Sequence, residues 1–246
     1  MIPKKIHYCW LSGDEYPPLI EHCIETFKEK MPDYELVLWD RNKFDIGSHP
    51  WVKAAFEQKK YAFAADYIRA YALYHEGGIY LDSDVEVLKS FTPLLKYKSV
   101  IGFEASTCGI EAAVMAAESG MTWCKGILDS YEKRPFSMDY VRANNLLAPN
   151  VVRSALHKIY PNQDWESMPS SAYVTDDDIL VCPSTFFSPI LYDIEKSYSH
   201  GNSNLNKYRR NPETYCIHLF NASWTVRPNR KLQIWDYFKK KFLKKE

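Results

Sequence analysis

The sequence predicts an α/β fold on three observations: a strand–helix–strand opening, a helix–glycine–strand centre, and later apolar runs alternating with helical ones without an internal repeat. Lys5 to Leu11, KIHYCWL, is rich in aromatic and β-favouring residues and reads as a strand. Ser12-Gly13-Asp14 turns the chain. From Pro17-Pro18 to Lys30, Leu19, Ile20, Cys23, Ile24 and Phe27 recur at helical spacing. Pro32-Asp33 breaks that helix, and Tyr34 to Trp39, YELVLW, reads as a second strand. Short connections between these elements predict a parallel pair with a right-handed crossover, the start of an open α/β sheet.

Trp51 to Lys60 supplies a further helix before the stretch around which the chain is organised, Tyr61 to Leu88. Tyr61 to His75 contains no proline or glycine and is dominated by alanine and apolar residues, which predicts a buried helix. Asp66 and Arg69, three apart, share one face of it. Gly77-Gly78 ends the helix, and Ile79-Tyr80-Leu81 reads as a short buried strand running into Asp82-Ser83-Asp84. In extended chain Asp82 and Asp84 point the same way, and two convergent carboxylates at a strand's carboxyl end suit a divalent cation that prefers oxygen ligands. Asp176-Asp177-Asp178 repeats the spacing after a polar segment and reads instead as a solvated turn.

Farther along, Ser99 to Ala105 reads as a strand, and Gly109 to Ala117 fits strand or helix equally. Thr122 to Lys133 and Val151 to Ile159 read as helices, Asp178 to Cys182 and Tyr215 to Leu219 as strands, and Pro183 to Gly201 as loops beside the site. With no linker in evidence, residues 1–246 are expected to form a single domain. Lys plus Arg and Asp plus Glu both number 31, and this zero formal charge argues against nucleic acid as an obligate partner. None of the six cysteines sits in a CxxC pair or a zinc-module spacing, so buried free thiols are expected. Met1-Ile2-Pro3-Lys4-Lys5 leads straight into the first strand without a signal-peptide pattern, and no apolar segment approaches a membrane span. A reducing, cytoplasmic setting is therefore expected.

Three blocks together resemble the family 32 glycosyltransferases, the sugar-transferase group with the Asp-x-Asp motif. They are IPKKIHYCWLSG at the start, FAADYIRAYALYHEGGIYLDSDVEVL at the centre and YCIHLFNASW late in the chain, in the family's order. The resemblance implies a GT-A-type fold, a Rossmann-like nucleotide-sugar-binding sheet flanked by helices with a smaller antiparallel part. It further implies transfer, with retention of anomeric configuration, from a UDP- or GDP-sugar to a saccharide or lipid-linked acceptor, in surface-polysaccharide assembly. No carboxylate announces itself as a nucleophile, so front-face substitution and a covalent intermediate both stay open.

By the same resemblance Asp66, Arg69, Asp82 and Asp84 form the catalytic set, with Asp66 and Arg69 gripping the donor sugar. Asp84 is the direct ligand of Mn²⁺ or Mg²⁺, Asp82 lies nearer the ribose and donor sugar with the metal shared, and His218 is the closing ligand. A histidine among the ligands favours Mn²⁺. Trp10 stacks on the base, and Ser83, Ser223 and Trp224 border the donor. Each position has a plainer alternative: an i,i+3 helix ion pair for Asp66 and Arg69, a core tryptophan for Trp10, and a hydrogen-bonded core histidine for His218. His7 reads as structural. Two other classes of function compete, a non-catalytic carbohydrate-binding protein of the same fold and a nucleotide-sugar phosphohydrolase.

The tail stands apart. From Arg230 to Glu246 it carries seven basic and two acidic residues. Leu232, Ile234, Trp235, Phe238, Phe242 and Leu243 share much of one helical side, so residues 228–246 read as a basic amphipathic helix. Such a helix either lies on an anionic membrane or docks on the domain.

Overall fold

The computed structural model describes residues 1–105, 109–132, 136–190 and 203–221. Its opening is the expected parallel unit. β1 (Lys5–Cys9) and β2 (Glu35–Trp39) pair in parallel from Lys5 opposite Glu35 to Cys9 opposite Trp39. Between them runs α1 (Pro18–Lys30), which begins on a proline, a residue whose fixed φ suits the first helical position.

α2 (Pro50–Glu57) and α3 (Tyr61–Glu76) follow. α3 ends at Gly77, and both Gly77 and Gly78 have positive φ, 63° and 109°. A Cβ on Gly77 would lie 2.7 Å from the Ser119 nitrogen, and one on Gly78 2.9 Å from the Lys5 oxygen. Only glycine lets the chain turn here and lay β3 (Gly78–Leu81) directly against β1. β3 is parallel to β1, with Ile6 opposite Ile79, so the carboxyl ends of both strands emerge at one edge of the sheet.

Beyond β3 the sheet becomes mixed. β4 (Val85–Val87) leaves it, whereas β5 (Ser99–Phe103) and β6 (Ile110–Ala117) return to it. α4 (Thr122–Tyr131), α5 (Met138–Ala143) and α6 (Ala148–Ile159) precede β7 (Tyr173–Val174) and β8 (Ile179–Cys182). The strand order is β2-β1-β3-β6-β5-β8-β7. After α7 (Ser203–Arg209), β9 (Cys216–His218) pairs antiparallel with β4 in a separate two-stranded sheet. The expected α/β architecture with a smaller antiparallel part is what the chain forms.

The alternation of side chains along each strand divides the core into two layers. Ile179 and Val181 of β8 join Tyr80, Trp123 and the apolar faces of α2, α3, α4 and α6. Leu180 and Cys182 join Ile79, Leu81 and the α1 side chains Ile20, Ile24 and Phe27 on the other face. α3 is apolar nearly all round because it is buried beneath the sheet, so Asp66 and Arg69 sit in a protein interior.

Several expectations are refined. Residues 110–117, open between strand and helix, form β6, buried along its whole length. β4, β7, α5 and α7 went unread. Asp176 and Asp177 are exposed in a turn, as expected, with Asp178 at φ 61°. Cys9, Cys23, Cys124, Cys182 and Cys216 are buried free thiols, while Cys108 lies outside the described residues. His7 is structural: its Nε2–H donates to the Gly77 oxygen at 2.7 Å, and its Nδ1 accepts from Trp39 Nε1 at 3.0 Å. Among the described residues no helix is long and apolar enough to cross a membrane.

Candidate functional site

β3 stops at Leu81, and the next three residues form a turn in which the Val85 N–H donates to the Asp82 oxygen at 3.1 Å. Asp82 and Asp84 are therefore brought together by a turn and not by the alternation of extended chain. The small sheet completes the arrangement. Val85 stands opposite His218, the Leu219 N–H donates to the Asp84 oxygen at 3.0 Å, and the Asn221 N–H donates to Asp84 Oδ2 at 2.7 Å. Asp82, Asp84 and His218 each offer a ligand atom within 4.8 Å of the others, the one such group of three among the described residues. His218 Nε2 is 3.6 Å from Asp84 Oδ1.

These donors fit a divalent cation. Around an octahedral Mg²⁺ adjacent ligands lie about 3 Å apart and opposite ones about 4.2 Å, so the three atoms would draw closer together to share one ion. Two carboxylates and one imidazole, all partly accessible, form the mixed oxygen and nitrogen set that Mn²⁺ accepts.

Behind this group lies a buried ionic cluster. Arg69 Nη2 reaches Asp66 Oδ1 at 2.9 Å and Asp82 Oδ1 at 3.2 Å, and Nη1 donates to the Ala112 oxygen at 2.7 Å. The Tyr80 hydroxyl donates to Asp82 Oδ1 at 2.9 Å, and the guanidinium lies over the Tyr80 ring. Burial pushes the Asp66 carboxyl up to about 6, against the opposing pull of Arg69 and with a contribution from Asp82. Asp66 and Arg69 thus form the i,i+3 pair of the plainer alternative, yet the same guanidinium also grips the first aspartate of the turn.

Electrostatics around the second aspartate run the same way. Burial raises the Asp84 carboxyl, which His218 partly offsets. For His218 burial favours the neutral ring, but Glu111, Asp84 and Asp82 outweigh it and push the imidazole up to about 10. Glu111 is a participant that the sequence reading missed. It sits in apolar β6, its Oε1 accepts from the Ala113 N–H at 2.8 Å, and its Oε2 lies 3.4 Å from His218 Nδ1. Glu86 on β4 was also missed. It is buried, two residues after Asp84 in the chain, and held by a bidentate Arg209 from α7, at 3.0 and 2.7 Å.

Trp10 follows the last residue of β1, and its N–H extends the ladder to the Trp39 oxygen. It therefore lies at the same sheet edge as the aspartate turn. Its indole Nε1–H donates to the Asp14 oxygen at 2.7 Å, and its ring meets Tyr16 edge-on at 5.2 Å. The ring is half-buried, fixed at its edge and still partly accessible. Ser83 is half-buried at the tip of the turn. Ser223, Trp224 and the tail from 230 to 246 lie outside the described residues.

Comparison with known proteins agrees with the resemblance read from the sequence. Residues 17–101 match the model for the glycosyltransferase sugar-binding region containing the DXD motif. Inositol phosphoceramide mannosyltransferase 3 of Schizosaccharomyces pombe is 28% identical over 176 residues, 67% of this chain and 48% of that protein. Mannosyl phosphorylinositol ceramide synthase SUR1 of Saccharomyces cerevisiae is 32% identical over 124 residues, 48% of this chain and 31% of that protein. The chain thus spans about half the length of the first relative and a third of the second. Among solved structures, a PaToxG glycosyltransferase overlays with a TM-score of 0.49 at 21% identity, covering 66% of this chain and 71% of that one.

Proposed function

We propose that this chain, whose residues 17–101 carry a DXD-type glycosyltransferase sugar-binding region, transfers a sugar from a nucleotide-sugar donor to a saccharide or lipid-linked acceptor. The observation that carries the reading is the meeting of Asp82, Asp84 and His218 at the carboxyl edge of a parallel β-unit, with Arg69 bonded to Asp82 from behind. Asp84, Asp82 and His218 would hold Mn²⁺ or Mg²⁺, which when bound neutralises the charge that gathers on the departing diphosphate.

The chain's own residues do the rest. The Arg69–Asp66–Asp82 cluster fixes the Asp82 carboxylate toward the donor, with Ser83 presenting a hydroxyl beside it. Trp10 offers a planar face to the base at the same edge of the sheet. Donor contacts by Ser223 and Trp224, which lie outside the described residues, belong to the same proposal. Retention is part of the proposal, with the donor face of the sugar governed by how Asp82 and Asp66 orient it.

The names of the two relatives pair mannosyl transfer with a phosphoinositol ceramide, which supports a lipid-linked acceptor and makes a GDP- or UDP-hexose panel the first to test. A role in surface-polysaccharide assembly, a cytoplasmic setting and contact of residues 230–246 with an anionic membrane belong to the same proposal, since a lipid-linked acceptor is presented at a membrane. Mass spectrometry of the full chain with a donor panel, Mn²⁺ and acceptors tests it. Product carrying the donor sugar is expected, lost with chelator and restored by Mn²⁺. Donor hydrolysis that no acceptor redirects would favour a phosphohydrolase, and saccharide binding without turnover a non-catalytic binder. Full-length protein that ignores anionic liposomes at low salt would remove the membrane contact.

A further inference from the structure

Glu111 is the only charged residue in β6, IEAAVMAA, and its side chain is 2% exposed. A carboxylate so placed costs free energy unless its oxygens find partners. Its oxygens find them: Oε1 takes the Ala113 N–H at 2.8 Å, and Oε2 faces His218 Nδ1 at 3.4 Å. Local backbone geometry explains how it is aimed. The β5–β6 register passes from Ile101 opposite Met115 to Gly102 opposite Glu111, so residues 112–114 bulge away from β5. Bulges re-aim side chains beside sites. This one also sends the Ala112 oxygen to Arg69 and the Ala113 oxygen to the Asp82 N–H, at 2.7 and 2.8 Å. One irregularity in one strand therefore serves Arg69, Asp82 and His218 together.

We infer that Glu111 is a positioning residue for His218: it accepts the Nδ1–H and so turns Nε2 toward Asp82 and Asp84, where its lone pair is the one a bound cation would take. The inference rests on the proposed reading of those three as the cation ligands. The two ring nitrogens have separate partners, Glu111 at Nδ1 and the Asp84 carboxylate 3.6 Å from Nε2. A hydrogen on Nε2 would point at the ion; a hydrogen on Nδ1 points at a buried carboxylate built to receive it. Carboxylate partners of ligating histidines fix tautomer and ring orientation in this way.

The test measures Mn²⁺ binding to the full chain directly, by the electron-paramagnetic signal of free Mn²⁺ and the nitrogen coupling that a bound imidazole imposes on the ion. Native protein is expected to show the nitrogen coupling and His218→Ala to lack it. Glu111→Gln, close in shape, should weaken Mn²⁺ about 10- to 100-fold and reduce the nitrogen coupling, with an unchanged circular dichroism spectrum. If Glu111→Gln does not fold, Glu111→Asp keeps the charge but retracts it by one methylene, and the same direction of loss is expected. A Glu111→Gln protein with native affinity and native coupling overturns the positioning role while leaving His218 as a ligand. Native protein without nitrogen coupling overturns the ligand reading itself, and the inference with it.

Discussion

Arg69 Nη2, on the helix beneath the sheet, lies 3.2 Å from Asp82 Oδ1, just past the end of β3. The contact ties the first aspartate of the turn to a buried framework, because the same guanidinium also holds Asp66 and the Ala112 oxygen. Removing the guanidinium strands Asp66 and Asp82 with no cation between them. Arg69→Met is expected to lower stability by about 3–5 kcal/mol, read as a lower urea midpoint. Arg69→Lys should recover only part of it, since an ammonium cannot span three acceptors as a planar fork does. A midpoint unchanged in Arg69→Met would show that the cluster contributes nothing net.

Asp84 differs from Asp82 in being held by backbone alone on its far oxygen, through the Asn221 N–H at 2.7 Å. Its near oxygen faces His218. Asp84→Ala therefore removes a ligand without disturbing the Arg69 cluster. Turnover should fall by a hundredfold or more, about 3 kcal/mol, and excess Mn²⁺ should not restore it. Native-like turnover of Asp84→Ala, or full native activity in EDTA, would reject the cation site.

Much of this was readable in the residues. The parallel opening, the glycine break and the Asp82-Ser83-Asp84 placement follow from periodicity and from the rule that Gly77-Gly78 must end a helix. What periodicity could not supply was the route by which His218 arrives. That depends on β4 pairing with β9 far along the chain, Val85 with His218 and Val87 with Cys216, and a three-residue strand leaves almost no period to read. The β-branched Val85 and Val87 flanking Glu86 were the available signal. Glu111 was harder still. One acid in an alanine-rich run fits an exposed helix position as easily as a bulged strand, and only the register shift distinguishes them.

Trp10 offers a separable test of the donor site. Its indole nitrogen is engaged by the Asp14 oxygen and its edge by Tyr16, so the ring is set before any ligand arrives. It is also half-buried against the apolar layer that holds α1. If the open face stacks on a base, Trp10→Ala should weaken free-nucleotide binding by roughly 1–3 kcal/mol in a protein that stays folded. Titration of the nucleoside diphosphate by calorimetry measures it. A folded variant with native affinity would eliminate stacking, and an unfolded one would assign Trp10 to the core.

The last prediction concerns pH and lies away from the cation ligands. Burial holds His7 below its usual 6.5, against a smaller opposing pull from its bond to the Gly77 oxygen. Trp39 donates to its Nδ1, an arrangement only the neutral ring permits. The folded state therefore binds a proton at His7 less readily than the unfolded chain does. Its contribution to stability is complete above about 6.5 and is lost progressively as pH falls below that value, at about 1.4 kcal/mol for each unit by which the folded pKa is depressed. His49, buried and stacked on Tyr67, is also lowered by burial and adds a dependence of the same sign. Urea midpoints measured between pH 7.5 and 5.5 should fall with acid in the native chain. His7→Gln, which keeps a donor for Gly77, should be less stable at pH 7.5 yet lose less on acidification. Parallel curves for the two proteins would remove His7 as a source of the pH dependence.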